Sequence, residues 1–154
     1  NHALIGGGAA QSNILAVAAD LTQTSFEQML MNITDMVDDQ SLKIRANAKT
    51  LVVPTQLAMR AKKILQSDFV TGSADNDKNV VKGATGLVVS PFLTDSDAWH
   101  VITDVPQGLT FYRWWDAEIY RDNEFDTQNL KIASVSMFAA SWTNWRGVFH
   151  TPGA

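Results

Sequence analysis

Two stretches of this chain gather residue types that bind cations or move protons. Asp75-Asn-Asp77-Lys-Asn79 repeats the first three ligand positions of a calcium loop. Val80 stands where such a loop needs its turn glycine, and Gly86 where it needs a bidentate glutamate, so a solvated loop is expected. Asp95, Asp97, His100 and Asp104 form the second stretch, with the composition of a metal or acid–base site. In an extended segment Asp95 and Asp97 share one face while His100 takes the other, whereas a metal site needs converging ligands with supporting contacts. Turn capping by the two aspartates ahead of a strand is favoured. A small α+β metal-dependent hydrolase using Asp95, Asp97 and His100 stands as the alternative.

Nucleophilic chemistry has little to work with. The chain has no cysteine, which excludes disulfides, thiol catalysis and cysteine-ligated zinc. Ser41, Ser90, Ser134, Ser136 and Ser141 lack the G-x-S-x-G context of a nucleophile elbow. His2, His100 and His150 show no partner pattern, and Gly6-Gly-Gly8 has neither flanking strand and helix nor a P-loop lysine. No catalytic residue, cofactor or metal is expected.

The aromatic clusters carry more information. Phe111-Tyr-Arg-Trp-Trp-Asp116 and Trp142-Thr-Asn-Trp-Arg146 combine Trp, Tyr and Arg, the residues of protein–protein hot spots. Core packing ranks first for them and an intersubunit contact second. Base stacking ranks third, because stacking platforms sit in basic grooves and the 12 Lys and Arg here are dispersed in a chain of net charge -4. A monomeric ligand-binding module built on these patches is a further reading.

The elements that must position these residues follow from periodicity. Thr24-Ser-Phe-Glu27 fits a capping box, and Phe26, Met29, Leu30, Ile33, Met36 and Val37 then recur at helical spacing, predicting an amphipathic helix ending near Asp38-Asp39. Ala48 to Pro54 reads as a short buried strand, after which Thr55 caps a second helix burying Leu57, Ala61, Ile64 and Leu65. Ser67 to Gly83 is a long polar loop. Gly86 to Ser90, Trp99 to Thr103 and Leu109 to Arg113 are separate strands, with Ala117 to Arg121 alternating weakly. Leu130 to Trp142 has no Gly or Pro and one charge, and reads as a single strand of about thirteen residues where about 5–6 is usual; Trp145 to His150 returns from it. Helix, strand, helix, then strands argues an α+β fold. At 154 residues the chain fits one domain or little more, and no apolar run approaches the roughly 18 residues of a membrane span.

Read in order, these motifs resemble a known family. Ala9-Ala-Gln-Ser-Asn-Ile-Leu15, Leu42 to Pro54 and Ala61-Lys-Lys-Ile-Leu-Gln-Ser67 are followed by Gly86-Leu-Val-Val-Ser-Pro91, the Asp95-to-Trp99 segment and Trp145-Arg146. This course resembles the C-terminal half of tailed-bacteriophage major capsid proteins, nearest to the Mu-like major head subunit branch. The resemblance implies the Hong Kong 97-type capsid fold, an axial domain plus part of a peripheral domain, with the N-terminal arm, extended loop and spine helix not evident before Asn1. Residues 1–37 would form a lead-in and amphipathic helix, and residues 38–154 an axial-domain core whose long strand returns to the peripheral domain. It implies a structural, non-enzymatic subunit that self-assembles into pentamers and hexamers of an icosahedral shell around phage DNA. Assembly would take place in the host bacterial cytoplasm, with scaffold, portal or decoration proteins as further partners and neither specific nucleic-acid binding nor a membrane. Intersubunit contacts are then expected near Tyr112, Trp114, Trp115, Asp75 and Asp77. Many relatives carry an Arg within the long strand where this chain has Ser136, Ala140 or Ser141.

Overall fold

The computed structural model describes residue 2 and residues 10–70, 77–123 and 126–154. Four strands, β1 (Ala48–Val53), β2 (Gly86–Val89), β3 (Trp99–Thr103) and β6 (Val148–Thr151), form one sheet in the order β2-β1-β3-β6. β1 and β2 run parallel, joined by a crossover containing α2 (Ala58–Gln66); β3 is antiparallel to both β1 and β6.

Alternation decides which side of this sheet is buried. Leu51 and Val53 of β1, Trp99 and Val101 of β3 and Phe149 of β6 point to one face. There they meet Phe26, Met29 and Ile33 of α1 (Gln23–Thr34) and Leu57, Ala61 and Leu65 at and within α2. The result is one helical layer on one sheet, with Trp99 at its centre. Its ring packs at 6.3 Å from Phe26, and its indole Nε1 donates to the Ala19 carbonyl at 3.1 Å. Of the methionines on or near the predicted stripe, Met29 in α1 and Met36 just past its end are core residues, while Met31 is exposed.

The caps differ from the sequence reading. The capping box of α1 is Thr22 with Ser25, two residues early: Thr22 Oγ1 accepts from the Ser25 amide at 3.1 Å, and Ser25 Oγ accepts from the Thr22 amide at 2.9 Å. Ser25 Oγ also donates to the Asp20 carbonyl at 2.6 Å, which anchors the cap to the incoming chain. The helix ends at Thr34, short of the predicted Asp38, because Asp38 builds a turn instead: its Oδ1 accepts from the amides of Gln40 and Leu42 at 2.8 and 2.9 Å. Thr55 caps nothing. A 3-10 turn (Thr55–Leu57) leads into α2 with no side-chain cap at Pro54.

The strands predicted at Leu109–Arg113 and Ala117–Arg121 are one strand, β4 (Leu109–Asn123), 15 residues long. It pairs antiparallel with the 13-residue β5 (Leu130–Trp142), whose bounds match the sequence reading. The register slips between Arg113 and Trp115 and again between Trp115 and Glu118, one extra β4 residue each time. Each bulge resets the in–out alternation, which is why the sequence pattern broke there. Among the described residues β4 and β5 form a two-stranded ribbon apart from the four-stranded sheet.

The shifted cap gives a direct check. Thr22→Ala should lower unfolding stability by about 1 kcal/mol in urea titrations, while Thr24→Ala should change it little; the opposite ranking would restore the box predicted from sequence.

Candidate assembly surface

The ribbon leaves the sheet at a crossing of two glycines. A methyl group added to Gly108 would lie 2.9 Å from the Gly147 Cα, closer than any real Cβ contact. Beside them the Gln107 carbonyl accepts from the amides of Thr143 and Asn144 at 3.1 and 2.9 Å, with Gln107 itself at φ 60. Thr103 Oγ1 donates to the Arg146 carbonyl at 2.7 Å, and the Arg146 guanidinium donates to Asp39 at 2.8 Å. Arg146 also lies 4.6 Å above the Trp145 ring, whose indole stacks on His2 at 4.0 Å. These contacts hold the ribbon's root to the sheet.

Beyond the root, paired residues share a face. One face carries Leu109 with Trp142, Phe111 with Ala140, Arg113 with Phe138, Ile119 with Ser134, Arg121 with Ile132 and Asn123 with Leu130. The other carries Tyr112 with Ala139, Trp115 with Met137, Glu118 with Val135 and Tyr120 with Ala133. Both faces are therefore rich in large apolar groups, and every described β5 residue is exposed. Local ties include a Phe111–Phe138 stack at 5.6 Å, an Arg113–Asp116 ion pair at 3.0 Å, and a hydrogen bond donated by the Tyr120 hydroxyl to Glu118 at 2.5 Å. That bond raises the Tyr120 pKa, since ionising the phenol would break it.

The core-packing reading of the aromatic clusters is thereby overturned for the first and for half of the second. Phe111, Tyr112, Trp114 and Trp115 are 58%, 48%, 76% and 55% exposed, and Trp142 is 67% exposed. They project from a ribbon with no layer on either side among the described residues. Trp145 alone packs inward, at the root. An isolated two-stranded ribbon is marginal in water, and this one, about 45 Å long at about 3.4 Å per residue, carries a dense run of exposed large apolar side chains, the mark of an interaction surface.

The other candidate residues go elsewhere. Asp104 Oδ1 and Oδ2 accept from the backbone amide and side-chain Nδ2 of Asn47 at 2.8 and 2.9 Å, and these bonds hold its carboxyl below the usual range. Asp95 Oδ1 accepts weakly from the Asp97 amide at 3.4 Å. A hydrogen bond between the two side chains lowers the Asp95 pKa and raises that of Asp97. Among the described residues no three His, Asp or Glu side chains converge as metal ligands. Asn79, a would-be calcium ligand, is buried and donates to the Ile64 and Ser67 carbonyls at 2.6 and 3.0 Å, closing the end of α2. Asp77 sits in the same loop, its carbonyl accepting from the Val70 amide at 2.9 Å, and Asp75 lies outside the described residues.

What sequence reasoning missed is a cavity of about 640 Å³ under the ribbon's root, lined by Val52, Ile102, Leu109, Trp142, His100 and His150, among others. His100 and His150 are cross-strand partners with rings stacked at 4.7 Å. Only their register across β3 and β6 brings them together, and no local motif signals it. Burial, and secondarily the neighbouring His150, lower the His100 pKa from its ordinary 6.5.

The sequence matches the protein family described as phage capsid protein over residues 2–151. No curated protein matches it. Among solved structures it is similar to the virus-like particle from Pyrococcus furiosus, at 10% identity and a TM-score of 0.48, covering 90% of this chain and 55% of that one. The chain thus spans about half the length of that structural relative. No helix among the described residues is long and apolar enough to cross a membrane.

Because the folded state holds His100 below its unfolded pKa, the unfolded chain takes up a proton first as pH falls. The stability this neutral imidazole contributes is whole above about 6.5 and declines as pH drops from there toward the lowered folded value. Melting curves from pH 7.5 to 5 should show a falling Tm that His100→Gln flattens; an unchanged slope in the variant would assign the loss to other groups.

Proposed function

Because the chain belongs to the phage capsid protein family, we propose that it forms the repeating shell of a phage head through its β4–β5 ribbon. Family membership gives the coarse role, a structural capsid component of the virion. The finer reading is a Hong Kong 97-type subunit of the Mu-like branch, assembling as pentamers and hexamers into an icosahedral shell around phage DNA. In it, the helix-covered sheet serves as the axial body and β5 reaches toward the peripheral one. Assembly takes place in the host cytoplasm, with scaffold, portal or decoration proteins as further partners. The acidic balance suits a wall that encloses DNA without gripping it.

One observation carries this reading: both faces of the ribbon carry large apolar side chains that nothing among the described residues covers. Folding alone would not keep Trp114, Trp115, Phe138 and Trp142 in water, at about 25 cal/mol per Å² of exposed apolar area, whereas a stable interface removes about 800 Å² from each partner. Tyr112, Trp114 and Trp115 have the composition and exposure of hot-spot anchors. We assign the Ser67-to-Gly83 loop, which contains Asp75 and Asp77, to a second contact. Closed rings need such heterologous pairs, one patch meeting a different patch on the next copy.

Mass photometry and negative-stain microscopy of the purified chain should show rings, sheets or shells of many copies; a compact monomer at every concentration would sink the proposal. Trp114→Ser and Trp115→Ser should leave the melting temperature within a few degrees while each weakens assembly by at least about 2 kcal/mol, read as a shift in critical concentration. Normal assembly by the double variant would remove these residues from the interface.

A further inference from the structure

The ribbon's two outer edges are not alike. β4 carries both bulges and five charged residues, Arg113, Asp116, Glu118, Arg121 and Asp122. Bulges and charges are the means by which proteins blunt an edge against strand addition. β5 has no bulge and a single charge: it is regular over its 13 residues, contains no Gly or Pro, and Lys131 is its one charged residue. Among the described residues its only strand partner is β4. An extended, nearly uncharged edge of this kind is a template for another strand.

The β5 sequence also says which strand fits. In an antiparallel pair of two β5 strands about a twofold axis at Ser136, facing positions sum to the same value along the whole element. Leu130 then faces Trp142, Ile132 faces Ala140 and Ser134 faces Phe138 on one side of the sheet. On the other side Lys131 faces Ser141, Ala133 faces Ala139 and Val135 faces Met137. Apart from the matched pair Val135 and Met137, and Leu130 with Trp142 at the ends, each large side chain meets a small one. Serine meets serine at the axis. Lys131 never meets itself, so no like charges oppose, the arrangement that destabilises cross-strand pairs.

Resting on the self-association proposed above, we infer that β5 of one copy pairs antiparallel with β5 of a second copy, centred on Ser136, to give a four-stranded β4-β5-β5-β4 sheet. The contact is isologous, the same surface on both partners, and it joins the two apolar ribbon faces into continuous sheet faces. It is distinct from the ring contacts assigned to Trp114 and Trp115, because it uses the strand edge and not the bulged aromatic segment.

The absence of native cysteine makes the test clean. Oxidation of assembled Ser136→Cys protein should give a disulfide-linked dimer. Lys131→Cys should give none alone, and should link when co-assembled with Ser141→Cys. Ser136→Glu and Ser136→Lys, both at an exposed position, should each weaken pairing about tenfold or more through like charges at the axis, and mixing the two should restore it. Multi-copy particles that form without the Ser136 link or the charge rescue would overturn the β5 pairing and leave the capsid reading standing. That pattern is also what a strand from a different protein, or from elsewhere in the same polypeptide, would produce on this edge. A monomer under all conditions would overturn both proposals.

Discussion

Two passages of backbone cross at Gly108 and Gly147 with no room for a side chain on either, and the architecture divides at that point. On one side, β3 and β6 stay in the four-stranded sheet and press Trp99, Val101 and Phe149 against the helices. On the other, β4 and β5 depart as a ribbon that buries almost nothing. The Gln107 carbonyl, shared by two amides, and the Thr103 and Arg146 contacts tie these regimes together. A side chain at the crossing would have to push the ribbon off its root, so the direction in which the exposed surface points is set by two residues that contribute no surface of their own.

The polar residues that look most like chemistry are spent on joints. Asp104 clasps Asn47 where β1 and β3 begin and end, Asn79 takes up carbonyls that the last turn of α2 leaves open, and Asp38 folds the chain back after α1. Each satisfies backbone groups that would otherwise lack a partner where an element stops. A carboxylate or amide so used has its geometry fixed by the backbone and is unavailable as a converging ligand.

Much of the fold is legible in the sequence, and the reasons are local. The α1 stripe, the β1–α2–β2 course and the bounds of β5 are written in periodicity and in prolines. What periodicity loses is information that resets or spans distance. The bulges in β4 erase alternation around Trp114, so one strand reads as two. The Thr22 cap draws on Asp20 outside the box pattern. The His100–His150 stack depends on the register of strands separated by the entire ribbon. The aromatic clusters illustrate the ambiguity in another way: hydrophobicity reports that Trp114 and Trp115 need burial but not whether their own chain supplies it.

The two bulges of β4 have a consequence for the size of what can form. A sheet with two open edges can add strands without limit, which is the geometry of fibrils. Among the described residues this ribbon has one regular, uncovered edge and one that is kinked and charged, so strand addition of the kind proposed for β5 would stop after a single partner. Under that pairing, termination is built into the strand itself, and growth would proceed through other surfaces, in other directions.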